Sequence, residues 1–323
     1  MSSKLDSIDH THGVMFHHFH SDFHPVEQGS LPGEKFEELL DWLTDKYSLL
    51  SATEYLRKLK NSSLRASDIC LTFDDALKCQ YDVAVPILKK RNIEAFFFVY
   101  SSPFLGYLDS LEIYRYFRST NFLSIDDFYS EFFESVKTVF SIEYFEAKDV
   151  YDEVEYLTLF PFYTKNDKWF RYLLDVTLGS DRYTEIMKLI LDRHKFDTSD
   201  LAGKLWMDNS NLISLANDGH LIGLHSFSHP MMMHLLDKET QAEEYSKNFE
   251  HLKSVLGISP KAMSHPSGSY NDATLRILKS MNIEIGFRSS FGVKEIKSNL
   301  EIPREDHSNA VKAMEKEAET SSR

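Results

Sequence analysis

Cysteine is nearly absent from this chain: Cys70 and Cys79 are the only two in 323 residues. Two thiols cannot build a disulfide framework, which fits a reducing compartment. Cys70 sits inside an apolar run and reads as a small buried hydrophobe. Long hydrophobic runs are missing too. No stretch is long and apolar enough to span a bilayer, and the opening MSSKLDSIDHTHGV carries no apolar leader core. The expectation is a cytoplasmic protein, although a chain trimmed of its leader would read the same. Positive charge is the third scarcity. Lys and Arg number 36 against 50 Asp and Glu, a formal charge of −14, and no Lys/Arg-rich run stands out. That argues against nucleic acid or an anionic membrane as the main partner. Internal repeats and low-complexity tracts are absent as well.

What is present is core-forming material. Hydrophobic residues make up 42% and aromatics 13% of the chain, enough for one large α/β domain or two ordinary ones. The first half reads as strand, helix, strand, helix, strand. The predicted strands lie near 13–19, 69–75 and 94–100, and the helices over 34–46, 53–60 and 81–91. That order favours a parallel sheet or barrel. From about 105 to 204 the rhythm changes to Phe- and Tyr-rich segments with apolar residues at helical intervals, such as Phe128, Phe132, Val136 and Phe140. This reads as a helical insertion within a single domain. The alternation resumes at about 205, with strands near 220–225, 261–265, 284–288 and 302–307. Residues 310–323 read as a polar tail, helical and frayed.

Chemistry concentrates where apolar strands end on polar groups. Leu71-Thr72-Phe73-Asp74-Asp75 stops abruptly on two carboxylates. Adjacent strand residues point to opposite faces, so both can serve one site only where the strand ends and the chain turns. Burying them requires a compensating cation or donors. His225 and His229 are the best candidates: three residues separate them, which on one helical turn aligns them. With an Asp from another strand they make a two-His, one-carboxylate set suited to Zn²⁺ or a similar divalent ion. Spacing alone carries little, because His20 and His24 share it and Asp126-Asp127 is a second Asp pair. What sets His225 and His229 apart is that they follow a glycine-bearing apolar strand, as Asp74 and Asp75 follow theirs.

Thr72-Phe73-Asp74-Asp75 and His225-Ser226-Phe227-Ser228-His229 resemble the first two motifs of the polysaccharide deacetylase family, the NodB-homology group of carbohydrate esterases. His265-Pro266-Ser267-Gly268-Ser269-Tyr270 resembles the third, and the likeness spans about 13–99 and 205–304. It implies a distorted (β/α) barrel and a metal-dependent hydrolase that removes an N-acyl group, expected to be acetyl, from an amino sugar or sugar precursor. By the same resemblance Asp75, His225 and His229 hold the metal, which could be Zn²⁺, Co²⁺, Ni²⁺ or Mn²⁺, and Asp74 is the general base. His17, His265, Pro266, Gly268 and Tyr270 would meet substrate. There are departures from the family pattern. Ala76 replaces the usual glycine, and Ser264 stands where many members place an arginine that orients the base. Arg304 is the candidate replacement for that arginine. The late acid motif is not clear, and His307 is the candidate acid, with His17 and His265 as alternatives. Two other readings stay open: hydrolysis of a non-sugar C–N bond in a ureide or cyclic imide, and a catalytically silent barrel. The insertion could carry a protein partner or a homo-oligomer contact.

Overall fold

A computed structural model describes residues 11–153, 155–157, 163–290 and 296–321. Seven parallel strands form the main sheet: β1 (His12–Phe16), β2 (Asp68–Asp74), β3 (Phe96–Val99), β4 (Leu221–Leu224), β5 (Ala262–Ser264), β6 (Ile285–Phe287) and β7 (Arg304–Asp306). Their order is β7-β1-β2-β3-β4-β5-β6, with a two-residue strand, Ser48–Leu49, beside the start of β2. The two edges nearly meet. Ile302 bridges to Phe287 of β6, and two residues later Arg304 pairs with Gly13 of β1. The result is the distorted (β/α) barrel that the family resemblance implies, and it fits the parallel sheet or barrel expected from the strand–helix rhythm.

The strands are apolar because both their faces are covered. One face of β2 carries Cys70, Thr72 and Asp74, and the other carries Ile69, Leu71 and Phe73, all of them buried. Cys70 belongs to a cluster with Phe96, Phe98, Ala262, Ile285, Phe287 and Ile302, which Tyr55 and Ala52 join from a helix, Ala52–Lys60. Phe73 instead joins a second aromatic stack, with its ring 4.6 Å from Phe97 and 5.2 Å from Phe16. Two glycines make these contacts possible. A Cβ at Gly223 of β4 would lie 2.6 Å from the Ala262 carbonyl oxygen and 2.7 Å from the Phe98 ring. At Gly13 it would crowd the Arg304 side chain at 3.1 Å.

Helices Gly33–Lys46 and Val85–Arg91 fall close to their predicted places, and Asn209–Asn217, Lys238–Leu256 and Asp272–Ser280 alternate with the strands of the second half. Gly257 ends the fourth of these at φ +71°, the left-handed conformation that glycine adopts without strain. Two expectations change. The tail is helical as expected but packed instead of frayed: the helix His307–Ser321 is held where Glu317 accepts from Trp42 and faces Lys46. The insertion is shorter than 105–204 and is a compact unit of its own, Ser110–Leu201, rather than part of one domain. Its helices include Ser110–Asn121, Ile125–Val139, Lys165–Tyr172 and Gly179–Arg193. They enclose a separate aromatic core of Phe117, Phe128, Phe132, Phe170 and Tyr183. Capping boxes at Ser124/Asp127 and Thr164/Asp167 start two of them. Phe and Tyr at helical spacing therefore serve as core here.

Candidate metal and hydrolytic site

The C-terminal ends of β2, β4, β5 and β7 bring the predicted residues together. At the end of β2 the backbone leaves the extended region: Asp75 has φ +78° and Ala76 +51°. That reversal lets two neighbouring carboxylates share one side, as the sequence requires. It also explains why glycine would suit position 76. Gln80 fastens the turn, donating to the carbonyls of Asp74 (2.6 Å) and His17 (2.9 Å).

Asp74 is buried and fully engaged. Arg304 Nη1 and Nη2 donate to Asp74 Oδ1 and Oδ2, both at 2.7 Å, a bidentate pairing of fixed direction. Ser264 Oγ donates to Oδ2 at 3.1 Å and accepts from Arg304 Nη2 at 2.7 Å. Arg304 is itself held by the Arg288 carbonyl and the Thr72 hydroxyl, at 2.7 and 3.2 Å. The small side chain at 264 thus makes room for a guanidinium that arrives from β7. Burial raises the Asp74 pKa, but Arg304, with His225 and His17, outweighs it and holds the group below the usual carboxylate range.

Asp75 has a different environment. Its Oδ1 is buried and accepts no hydrogen bond, yet it lies 3.4 Å from His225 Nε2 and 3.6 Å from His229 Nε2. The three candidate ligand atoms all lie within 4.8 Å of one another. The other nitrogen of His225, Nδ1, is 2.8 Å from the Ser264 carbonyl. A carbonyl oxygen can only accept, so Nδ1 carries the proton and Nε2 presents its lone pair towards Asp75. An orphaned carboxylate oxygen facing two imidazole nitrogens, one with its tautomer fixed, is a donor set that a divalent cation fits. Burial raises the Asp75 pKa, but the imidazoles of His225, His229 and His17 beside it outweigh that and bring it well below the ordinary value. His229 is depressed to about 4 by burial, against the pull of Asp75.

The helical-turn expectation for 225–229 does not hold. The segment is an irregular loop in which Ser226 (φ +65°) and His229 (φ +57°) are left-handed. His229 N donates to Ser226 Oγ at 3.1 Å. The two imidazoles converge because the backbone coils tightly, not because helical periodicity aligns them. Sequence reasoning also missed two residues on the Lys238–Leu256 helix, Glu244 and Asn248, which touch this loop. The signal was there: Gln241 and Asn248 interrupt the buried stripe that Tyr245 and Leu252 define.

The remaining candidates are placed less uniformly. His17, about 30% exposed at its side chain, puts Nε2 3.9 Å from Asp74 Oδ2 and 4.0 Å from Asp75 Oδ2. His307 does not end a strand loop; it opens the last helix, buried, with Nε2 at 3.0 Å from the Gly29 carbonyl and its ring stacked on Phe16. His265 and Pro266, expected to meet substrate, are buried. The His265 Nε2 lies 2.8 Å from the Leu300 carbonyl, its ring stacks on Tyr270 at 4.2 Å, and burial lowers its pKa to about 3. Gly268 N donates to the His265 carbonyl, and the Tyr270 hydroxyl donates to Glu301. His265 and Tyr270 thereby brace the 298–302 segment that leads into β7, and burial closes His265 and Pro266 to a ligand.

Comparisons with known proteins bear on the fold and on the segment that carries His225 and His229. The family model described as polysaccharide deacetylase matches residues 179–286, a span that contains both histidines but not Asp74 or Asp75. A curated Bacillus subtilis protein, the uncharacterized YlxY, is 33% identical over 108 residues, 33% of this chain and 33% of its own length. The chain therefore spans about a third of the curated relative that it matches. Among solved structures, the Streptococcus pyogenes deacetylase PplD superposes with TM-score 0.55 at 18% identity, over 94% of this chain and 97% of that one. IcaB from Ammonifex degensii gives 0.57 at 15%, over 94% and 96%. The de-N-acetylase of Aggregatibacter actinomycetemcomitans gives 0.53 at 14%, over 91% and 93%. At these identities the structures speak for the fold.

Proposed function

We propose that this chain is a hydrolase of the polysaccharide deacetylase type, metal-dependent, that removes an N-acyl group, acetyl in the first instance, from an amino sugar; the family model's match over residues 179–286 supports that reading. The observation that carries this reading is the Asp75 oxygen, buried without a donor and facing the Nε2 atoms of His225 and His229. Asp75, His225 and His229 would hold the ion. When bound, zinc or another divalent ion supplies a Lewis acid that polarises an amide carbonyl and acidifies water.

The chain's own groups divide the proton work. Asp74, kept ionised by Arg304 and oriented by Ser264, accepts the proton of the attacking water. A new C–O bond forms at the acyl carbon and the C–N bond breaks, so the departing nitrogen needs a proton. His17 is the histidine that faces both carboxylates from the open side; it takes up the proton that Asp74 removed from the water and passes it to the departing nitrogen. His307, the candidate from sequence, has its ring committed to Gly29 and Phe16 instead. The distances of 3.9 and 4.0 Å at His17 are longer than a hydrogen bond, as catalytic contacts often are before substrate is bound. The products are a free amine and a carboxylate. The solved Streptococcus pyogenes deacetylase holds acetate, the acid that an acetamido sugar would release.

The test is release of acetate from oligomers of N-acetylated amino sugars by the purified chain, with and without a chelator. Turnover that a chelator abolishes and added zinc or cobalt restores is the expected result. Turnover of cyclic imides or ureides alone would move the substrate class. Failure across the whole panel, with metal bound, would sink the hydrolase reading.

A further inference from the structure

Resting on the metal-centre reading above, we propose that Glu244 and Asn248 are positioning residues that hold His225 and His229 in ligating geometry. The 225–229 loop cannot hold its shape by sequence preference alone. Ser226 and His229 both occupy the left-handed region, which L-residues with a Cβ avoid. Such a backbone persists only where its surroundings over-determine it.

Glu244 supplies much of that determination. Its Oε2 accepts from the backbone nitrogens of Phe227 (3.0 Å) and Ser228 (2.8 Å), and its Oε1 accepts from the Ser228 hydroxyl (2.7 Å). Successive N–H groups around a left-handed residue make a concave anion site, and here a carboxylate of the same chain fills it. The carboxylate thereby clamps Phe227 and Ser228, two of the three residues between the two histidines.

Asn248 lies one turn along the same helix face, fully buried. Its Oδ1 accepts from His225 N at 3.0 Å, while its Nδ2 donates to the Val99 carbonyl at 2.8 Å and to Ser101 Oγ at 2.7 Å. The Ser101 hydroxyl also meets His251 Nδ1, at 2.7 Å. Asn248 thus ties the first histidine's backbone to the end of β3, and Glu244 fixes the route to the second. Neither touches the ligand atoms. Both would shape the energy of bringing those atoms together.

The experiment is titration of the metal-free full-length chain with Co²⁺, read by visible absorption, followed by competition with Zn²⁺. Glu244→Ala should weaken cobalt binding about tenfold or more, the scale of outer-shell substitutions at metal sites. It should also alter the cobalt absorption envelope while the metal-free Tm stays near wild type. Glu244→Gln should recover part of the loss, because one carbonyl oxygen can still accept from the loop. Asn248→Ala should act in the same direction. Glu243→Ala, which removes only the partner of Lys247, should bind as wild type does. If Glu244→Ala and Glu244→Gln both bind cobalt with unchanged affinity and spectrum, the positioning role is wrong while the metal centre stands. If wild type binds neither ion, the metal centre falls, and this inference with it. A Glu244→Ala chain that does not fold leaves Glu244→Gln and Asn248→Ala to decide.

Discussion

His20/His24 and His225/His229 have the same spacing, and the fold treats them in opposite ways. In the first pair each ring has its own partner: His20 Nδ1 meets Ser30 Oγ at 2.8 Å, and His24 Nε2 meets Asp82 at 2.9 Å. No non-glycine residue in that loop has a positive φ. In the second pair both rings turn to one carboxylate oxygen, and two of the five residues are left-handed. The Asp pairs differ in the same way. Asp126 and Asp127 sit in the first turn of a helix, where Asp127 accepts from the backbone N–H and hydroxyl of Ser124. Asp74 and Asp75 sit where a buried strand stops. Spacing therefore carries no chemistry by itself. Position at the end of a buried strand does, because only there does the chain reverse while the scaffold around it stays rigid.

The largest contrast should appear in metal binding. His229→Ala removes a ligand, so its cobalt or zinc affinity should fall by more than the roughly 100-fold upper end expected for outer-shell partners. His24→Ala should bind as wild type does. Equal losses in the two variants would break the comparison, and elemental analysis after desalting reads the outcome directly. Next comes turnover. Asp74→Asn keeps the shape but loses the base, and should cost about 100- to 10,000-fold in kcat. Asp127→Asn should leave kcat untouched. An active Asp74→Asn enzyme would overturn the base assignment.

A smaller effect separates a fully buried histidine from a partly buried one. His220 is 4% exposed, and its Nδ1 accepts from Ala95 N at 3.0 Å, so the fold needs the neutral ring. Burial takes its pKa to about 4, against an ordinary value of 6.5. Below pH 6.5 the unfolded chain binds this proton and the folded chain does not. The stability from the neutral ring is therefore whole above pH 6.5 and is lost as pH falls towards 4. Its full size is about 3 kcal/mol. In His220→Asn that part of the acid slope should vanish from denaturant midpoints measured between pH 7 and 4. His24→Asn should keep it. A His220→Asn chain with the wild-type slope would place the titration elsewhere.

Much of this site could be read before the fold was known. Apolar strands ending on Asp74-Asp75 and on His225 located the mouth, and the isolated Arg304 proved to be the guanidinium on Asp74. Those features are local in sequence, or face one another through a regular sheet register. What escaped was set by irregular backbone or by distant packing. The 225–229 loop coils through left-handed residues that no periodicity encodes. Glu244 and Asn248 act on it from 16 and 23 residues downstream. His265 looked like a pocket residue and is a brace, because burial of its ring follows from tertiary contacts with Leu300 and Tyr270.

The smallest effect tests whether strain at the mouth is needed or merely tolerated. Ala76 is buried at φ +51°, where a Cβ costs about 1–2 kcal/mol. Glycine would relieve that cost, but it would give up a buried methyl worth about 0.8 kcal/mol and add freedom to the unfolded chain. The terms nearly cancel, so the denaturant midpoint of Ala76→Gly should correspond to a stability within about 1 kcal/mol of wild type. The turn itself should survive, since Gln80 holds the Asp74 carbonyl and Met207 N donates to the Ala76 carbonyl. Metal affinity should accordingly be unchanged. A variant that keeps its stability but loses metal would show that the alanine methyl, not the hydrogen bonds around it, fixes the direction of Asp75. The His20/His24 loop, free of such strain, should show no gain from glycine at any position.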